Sequence, residues 1–134
     1  MRTARIHKQI ASETITGTKD FPFKWGHNER GTFQVRAITG GGMLSAKTKQ
    51  HGKVGVFPTA VTFWATLDDY PQEPNAVWSQ LSVKDLATGI YVSSIITPVD
   101  SIVQVESLCA AWVKVRVVAT IPANLRITAE LDAL

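Results

Sequence analysis

The sequence predicts an all-β protein, an antiparallel β-sandwich of about eight to ten short strands, with a small β-barrel as the alternative. Apolar and polar residues alternate in segments of strand length, separated by clusters of Gly, Pro, Asn and Asp. No segment keeps the apolar period of a helix for more than about one turn. Alternation leaves each strand with one apolar face, and two such faces must pack together to leave water.

The clearest alternation covers residues 109–131. Every second residue from 111 to 119 is Ala or Val, so Val115 is predicted to point inward and Lys114 toward solvent. The pattern is interrupted at residues 121–124 and resumes to Leu131. Because Pro122 has no N–H for a ladder, the interruption predicts a turn, and the whole stretch is interpreted as an antiparallel hairpin.

Other segments show the same strand-like character. Predicted strands cover residues 12–18, 32–39, 54–67, 77–83, 90–97 and 101–107, and residues 43–50 are either a strand or an exposed hairpin tip. Residues 20–31 are predicted as a loop because they contain Pro22, Gly26 and Gly31. The residues predicted to face inward from the middle strands are Phe33, Val35, Ala37, Val61, Phe63, Ala65, Leu67, Val77, Leu81 and Val83.

Charge is distributed unevenly along the 134 residues. Residues 1–58 carry ten Lys or Arg and three acids, a net charge of +7, whereas residues 59–134 carry four and eight, a net charge of −4. This asymmetry indicates contact with a charged partner or head-to-tail contact between copies, with a solvated basic surface as an equal alternative. Residues 12–134 are predicted to form a single domain preceded by a flexible basic arm, residues 1–11. The basic candidates are Arg2, Arg5 and Lys8 on the arm and Lys47, Lys49 and Lys53 in a loop.

No pattern in the sequence predicts catalysis or a cofactor. The three histidines have no metal-ligand spacing, and an acidic loop at Asp68, Asp69 and Glu73 is interpreted as solvated rather than as a cation site. Cys109 is the single cysteine and is interpreted as a small buried residue. No signal peptide and no apolar run of bilayer length is seen, so synthesis in a cytoplasm is expected.

Tryptophan gives the main indication of an interaction surface. Trp64, Trp78 and Trp112 all fall on the polar parity of their predicted strands. Large aromatic residues on the outer side indicate a second burial surface, so these three are candidates for a subunit interface, with a trimer predicted. The alternative is that the aromatic segment at residues 20–25 covers them within the chain.

Two binding functions compete with self-association. Lys24 beside Trp25 and Arg36 near Phe33 make a weak nucleic-acid pattern, which is disfavoured because Phe33 has inward parity. A carbohydrate-binding module would use exposed aromatic rings beside amide or acidic groups, and Tyr70, Asn75 and Trp78 are its candidates.

The later part of the chain, residues 59–134, carries an ordered series of features: VTFWATLD, then VWSQL, then TGIY, then AWVKVRV, and a short final strand. This series resembles small β-sandwich proteins of tailed-phage virions. The resemblance implies a non-enzymatic structural protein of the virion, foremost a capsid decoration or cementing protein, with a tail or neck component as an alternative. It implies the major capsid protein or another virion protein as partner.

Overall fold

The computed structural model describes residues 4–26, 28–37, 58–68, 76–95, 101–106, 108 and 110–133. This part of the chain contains eight β-strands and no helix. The strands are β1 (Ala4–Lys24), β2 (Asn28–Ala37), β3 (Ala60–Thr66), β4 (Ser79–Leu81), β5 (Val83–Asp85), β6 (Tyr91–Val92), β7 (Ser101–Val105) and β8 (Trp112–Ala133). All pairings between them are antiparallel.

The long strand β8 organises the sheet. Its residues 112–118 pair with β3 and its residues 125–133 pair with β2, while β1 follows its other side along nearly its whole length. Strand β4 extends the sheet beyond β3, and β7, β5 and β6 extend it beyond β2. A bridge between Val61 and Ile95 returns the chain after β6 to β3, and the sheet curls into a half-barrel. The all-β antiparallel prediction is confirmed, and both the sandwich and the barrel are compatible with it.

The predicted hairpin at residues 109–131 is wrong, because β8 is continuous from Trp112 to Ala133. In its ladder with β1, Ile15 pairs with Ala123 and Gly17 pairs with Ala119. Three residues of β8, including Pro122, therefore lie opposite one residue of β1. Pro122 marks a bulge in β8, because a bulged residue has no ladder partner and its missing N–H therefore leaves no acceptor on β1 without a hydrogen bond. The chain does not reverse direction there. Gly17 supplies the positive φ of 84° on the opposing strand.

The predicted loop at residues 20–31 is also wrong. Strand β1 continues to Lys24, a tight turn follows at Gly26 with φ of 61°, and β2 begins at Asn28. Phe23 and Trp25 are buried in the core at 3% and 0% exposure, which explains why the segment is held in the sheet despite its turn-forming residues.

The N-terminal segment differs from the predicted arm. Residues 4–9 pair in register with residues 128–133 of β8, and a bulge at Ile10 precedes Ala11, which is buried. The described part of residues 1–11 therefore belongs to β1. The low apolar content of this segment predicted an arm, but the ladder with β8 supplies backbone hydrogen bonds that hold the segment in the sheet.

The core lies inside the curl and confirms most of the predicted strand parities. Buried residues recur at alternate positions on β2, β3 and β8: Phe33, Val35, Val61, Phe63, Ala65, Val113, Val115, Val117, Ala119, Ala123, Leu125, Ile127, Ala129 and Leu131. Phe33 links the aromatic rings, with its centroid 5.9 Å from Phe23 and 5.0 Å from Phe63. A Cβ at Gly31 would lie 3.0 Å from side-chain atoms of both Phe33 and Trp25, so a larger residue would require these buried rings to shift.

Two predicted inward residues are corrected. Leu67 and Val77 are 77% and 71% exposed. Strand β3 ends at Thr66, and Val77 precedes β4, so neither residue follows the alternation of a paired strand. The predicted strand at 77–83 divides between β4 and β5. Of the predicted strand at 90–97, the structure describes residues 90–95, where Tyr91–Val92 forms a strand and Ile95 an isolated bridge.

Candidate interaction surface

The outer face of β1, β8 and β3 carries a compact group of aromatic and charged residues. Ladder register places Trp64 beside Lys114, and Arg116 beside Asp20. Trp112 lies opposite Thr66 on the same face. We call this group the tryptophan–cation face: Asp20, Trp64, Trp78, Trp112, Lys114 and Arg116.

Asp20 is the electrostatic centre of the tryptophan–cation face. Its Oδ1 accepts a hydrogen bond from Arg116 Nε at 2.8 Å, and its Oδ2 accepts one from Arg116 Nη2 at 3.2 Å. Lys114 Nζ lies 3.2 Å from the same Oδ2. The Arg116 hydrogen bonds hold the pKa of Asp20 below its ordinary value; partial burial opposes this shift and Lys114 adds to it.

The two cations also contact the indole rings. Lys114 Nζ lies 4.3 Å from the ring centroid of Trp78, and the Arg116 guanidinium carbon lies 5.1 Å from that of Trp64. These are cation–π distances, and Lys114 is only 7% exposed beneath the rings. The expectation that Lys114 points into solvent is therefore wrong. It has the predicted outer parity, but the neighbouring aromatic rings cover it.

The three candidate interface tryptophans share the outer face, and all three are half-buried. Trp64 and Trp112 do so by the predicted strand parity, whereas Trp78 lies before β4 and contacts Lys114. Trp64 also donates its indole N–H to Thr62 Oγ1 at 2.9 Å. The aromatic rings of Phe23 and Trp25 do not cover these tryptophans as the alternative supposed, because both lie in the core. Lys114 and Arg116 of the same chain cover part of the surface of the tryptophan rings.

A more exposed apolar site lies at the end of β3, where the sequence had predicted core residues. Leu67 and Val77 flank a groove of about 430 Å³. Asp68, which also lines the groove, accepts hydrogen bonds from the Val77 N–H at 2.7 Å and the Thr66 hydroxyl at 3.0 Å. The groove is lined by Ala65, Thr66, Leu67, Asp68, Val77, Ser79, Leu81, Leu108 and Ala110. No motif in the sequence identifies this site, because it depends on where β3 stops.

The remaining candidate residues are dispersed. Lys8 is exposed on β1, and Arg5 lies in the same strand. Phe33 and Trp25 are fully buried, so neither can stack on a nucleic-acid base. The candidates outside the described residues are Arg2, Lys47, Lys49, Lys53, Asp69, Tyr70, Glu73, Asn75 and Cys109.

Within the described ranges, no group of three or more His, Cys, Asp or Glu side chains could hold a metal ion. No helix long and apolar enough to cross a membrane occurs in that same part of the chain.

Comparison with known proteins places the fold among phage-derived structures. The chain superposes on the SPBc2 prophage-derived protein YomS with a TM-score of 0.69 and 12% identity, covering 99% of this chain and 96% of that one. It superposes on the PBSX exported protein XepA with a TM-score of 0.68 and 6% identity. That match covers 99% of this chain but 39% of XepA, so the chain spans well under half of that protein. No protein-family model and no curated protein sequence matches the chain.

Proposed function

We propose that this chain is a non-enzymatic structural protein of a tailed-phage virion and that it acts as a capsid decoration or cementing protein. The observation that carries the proposal is the likeness, over nearly the whole of both chains, to the prophage-derived protein YomS. This likeness concerns the fold, and it agrees with the resemblance to virion β-sandwich proteins in residues 59–134.

Self-association supplies one part of the proposed role. Leu67 and Val77 expose large apolar side chains beside an open groove, and Trp78 follows directly in the chain. A second copy placed on this surface would remove both side chains from water and cover the adjoining tryptophan–cation face. A closed trimeric ring would bury the same surface in every subunit.

Attachment to the capsid shell is the second part of the proposed role. The basic residues concentrate in residues 1–58, so this part of the chain would face an acidic surface of the major capsid protein or of another virion protein. Such contacts speed encounter and weaken as salt screens them. Six basic residues are the sequence-based candidates for this contact: Arg2, Arg5, Lys8, Lys47, Lys49 and Lys53. Of these six, Lys8 is the one whose side chain the structure describes, and it is exposed on β1.

The test is whether the protein is present in purified particles. Particles would be banded by density, separated into heads and tails, and analysed by mass spectrometry. The proposal predicts stoichiometric amounts in heads, and rebinding of purified protein to particles that lack its gene product. Presence in tails alone would support the tail or neck alternative. Absence from both fractions would reject a virion role.

A further inference from the structure

Strand β1 has a long free edge. Within the described ranges, β1 pairs with β8 alone, so one side of this 21-residue strand has no sheet partner. An unpaired edge presents a row of backbone N–H and C=O groups that another extended chain can bind. Proline and bulges interrupt such an edge for any partner, whereas charge repels an identical edge and attracts an oppositely charged segment, and the two halves of β1 differ in these features.

The C-terminal half of the edge is blocked by Pro22. Trp25 donates its backbone N–H to Ala111 O at 2.9 Å, so the odd-numbered residues of this half direct their N–H groups toward β8. Pro22, opposite Lys114, then occupies a position that faces the free edge, where its missing N–H removes a donor. The irregularity between Ile15 and Gly17 also bends the strand away from a straight partner.

The N-terminal half of the edge remains open. Residues 4–9 pair with β8 without interruption and contain no proline. Ile6 is 50% exposed, and the side chains of His7, Lys8 and Gln9 are also exposed. The first acid in the sequence is Glu13, so residues 1–12 carry only positive or neutral side chains. Glu130 and Asp132 of β8 lie opposite His7 and Arg5 in the ladder, and Glu130 Oε1 is 3.4 Å from His7 Nδ1. Lys8 lies opposite Ala129, so it is the basic side chain of this edge with no acid opposite it, and Ile6 is the apolar side chain available for contact.

We propose that residues 4–9 of β1 bind an extended acidic segment of a partner protein, which joins the sheet as an additional strand beside β1. Main-chain hydrogen bonds along the edge supply the affinity, and carboxylates opposite the basic side chains select the partner. The inference deepens the proposed function, and it rests on that function for the partner's identity as a virion protein.

The probe is a ten-residue peptide of alternating valine and glutamate, acetylated and amidated, with a backbone N-methylated peptide of the same sequence as its control. Binding to the full chain is measured by fluorescence anisotropy and by amide hydrogen exchange. We expect exchange of residues 4–9 to slow by about tenfold when the peptide is present at about ten times its Kd. The N-methylated peptide should not bind, because it keeps the charge but lacks alternate donors.

Two charge reversals locate the site. Lys8→Glu should raise the peptide's Kd by about fivefold. This factor corresponds to the largest free energy usually contributed by one exposed ion pair. The control, Lys24→Glu, changes another exposed lysine of β1 beyond Pro22 and should leave the Kd unchanged. Equal weakening by both variants, equal binding of the N-methylated peptide, or no protection of residues 4–9 would each overturn the proposal.

Particle association is measured separately, so the two proposals can fail independently. A chain that is present in particles but does not bind the peptide overturns the edge proposal alone. A chain that binds the peptide but is absent from particles overturns the virion role alone.

Discussion

Asp20 and Arg116 form a two-point ion pair across the ladder between β1 and β8, with hydrogen bonds of 2.8 and 3.2 Å. The pair joins the C-terminal part of the first strand to the N-terminal part of the last strand. Because Lys114 contacts the same carboxylate, one acid balances two cations that also lie against tryptophan rings. The tryptophan–cation face is therefore an ordered part of the fold.

Removing the Asp20 charge should destabilise the protein in a pH-dependent way. Since the pKa of Asp20 is lower in the folded chain than its ordinary value of about 3.9, the stabilisation by its charge is fully present above that pH. It is lost as the pH falls through the folded-state pKa. We expect Asp20→Asn to reduce the free energy of unfolding by about 1–3 kcal/mol at neutral pH. The difference should shrink below about pH 4.

Urea denaturation at a series of pH values measures this effect. The control is Glu13→Gln, which removes an exposed carboxylate that pairs with Lys19 on the same strand. It should change the free energy of unfolding by less than about 1 kcal/mol. A constant loss for Asp20→Asn across the whole pH range would contradict the ion-pair explanation.

Substitution at Lys114 should be costly, although the residue points away from the core. Lys114→Asp would place a second carboxylate beside Asp20 under the ring of Trp78, and we expect a loss of about 3–5 kcal/mol. Arg126→Asp makes the same charge change at an exposed site on β8 and should cost about 0.5 kcal/mol or less. Thermal melts followed by circular dichroism compare the two. Equal melting temperatures would mean that Lys114 is not held as described.

Val115→Asp tests the buried face of β8, opposite the face that carries Lys114. Val115 is fully buried, and an unpaired carboxylate there should cost several kcal/mol of a total stability of about 5–15 kcal/mol. We expect this variant not to fold, as judged by the loss of its circular dichroism signal. A folded Val115→Asp protein would indicate that the register of β8 is shifted by one residue.

Two N-terminal deletions should separate the exposed start of β1 from the part that packs on the core. Removing residues 1–8 takes away the exposed side chains of Ile6, His7 and Lys8 and part of one edge ladder, so only a small loss of stability is expected. Removing residues 1–11 also takes Ile10 and Ala11, which contact the core, and should cost about 2 kcal/mol or more. Guanidinium denaturation measures both. Equal stability of the two deletions would restore the interpretation of residues 1–11 as a detached arm.

Self-association should depend on the exposed apolar pair at the groove. We expect the double variant Leu67→Glu with Val77→Glu to shift the protein toward monomer in light scattering, with its melting temperature nearly unchanged. Ile121→Glu is the matched control, because Ile121 is 58% exposed at the bulge of β8. A monomeric parent protein, or an equal shift with Ile121→Glu, would exclude the groove as the subunit contact.

Alternation in the sequence determined the all-β class and the buried face of β2, β3 and the two halves of β8, because burial on one side of a pleated strand imposes a period of two. The outer parity of Trp64 and Trp112 was determined in the same way, whereas Trp78 precedes β4 and is placed on the outer face by its contact with Lys114. Local signals could not decide whether Pro122 marks a turn or a bulge, since both use its missing N–H. Only pairing with β1 made β8 continuous.

Only the tertiary structure decided which charged residues pair on the outer face and whether the N-terminal residues join the sheet. Asp20 meets Arg116 across 96 positions of sequence, and no local pattern encodes such a separation. Ala4–Lys24 became one strand because β8 offered a free row of backbone groups, whose hydrogen bonds outweigh weak local preferences. Leu67 and Val77 are exposed because β3 ends before one and β4 begins after the other, so alternation had no paired strand through which to act.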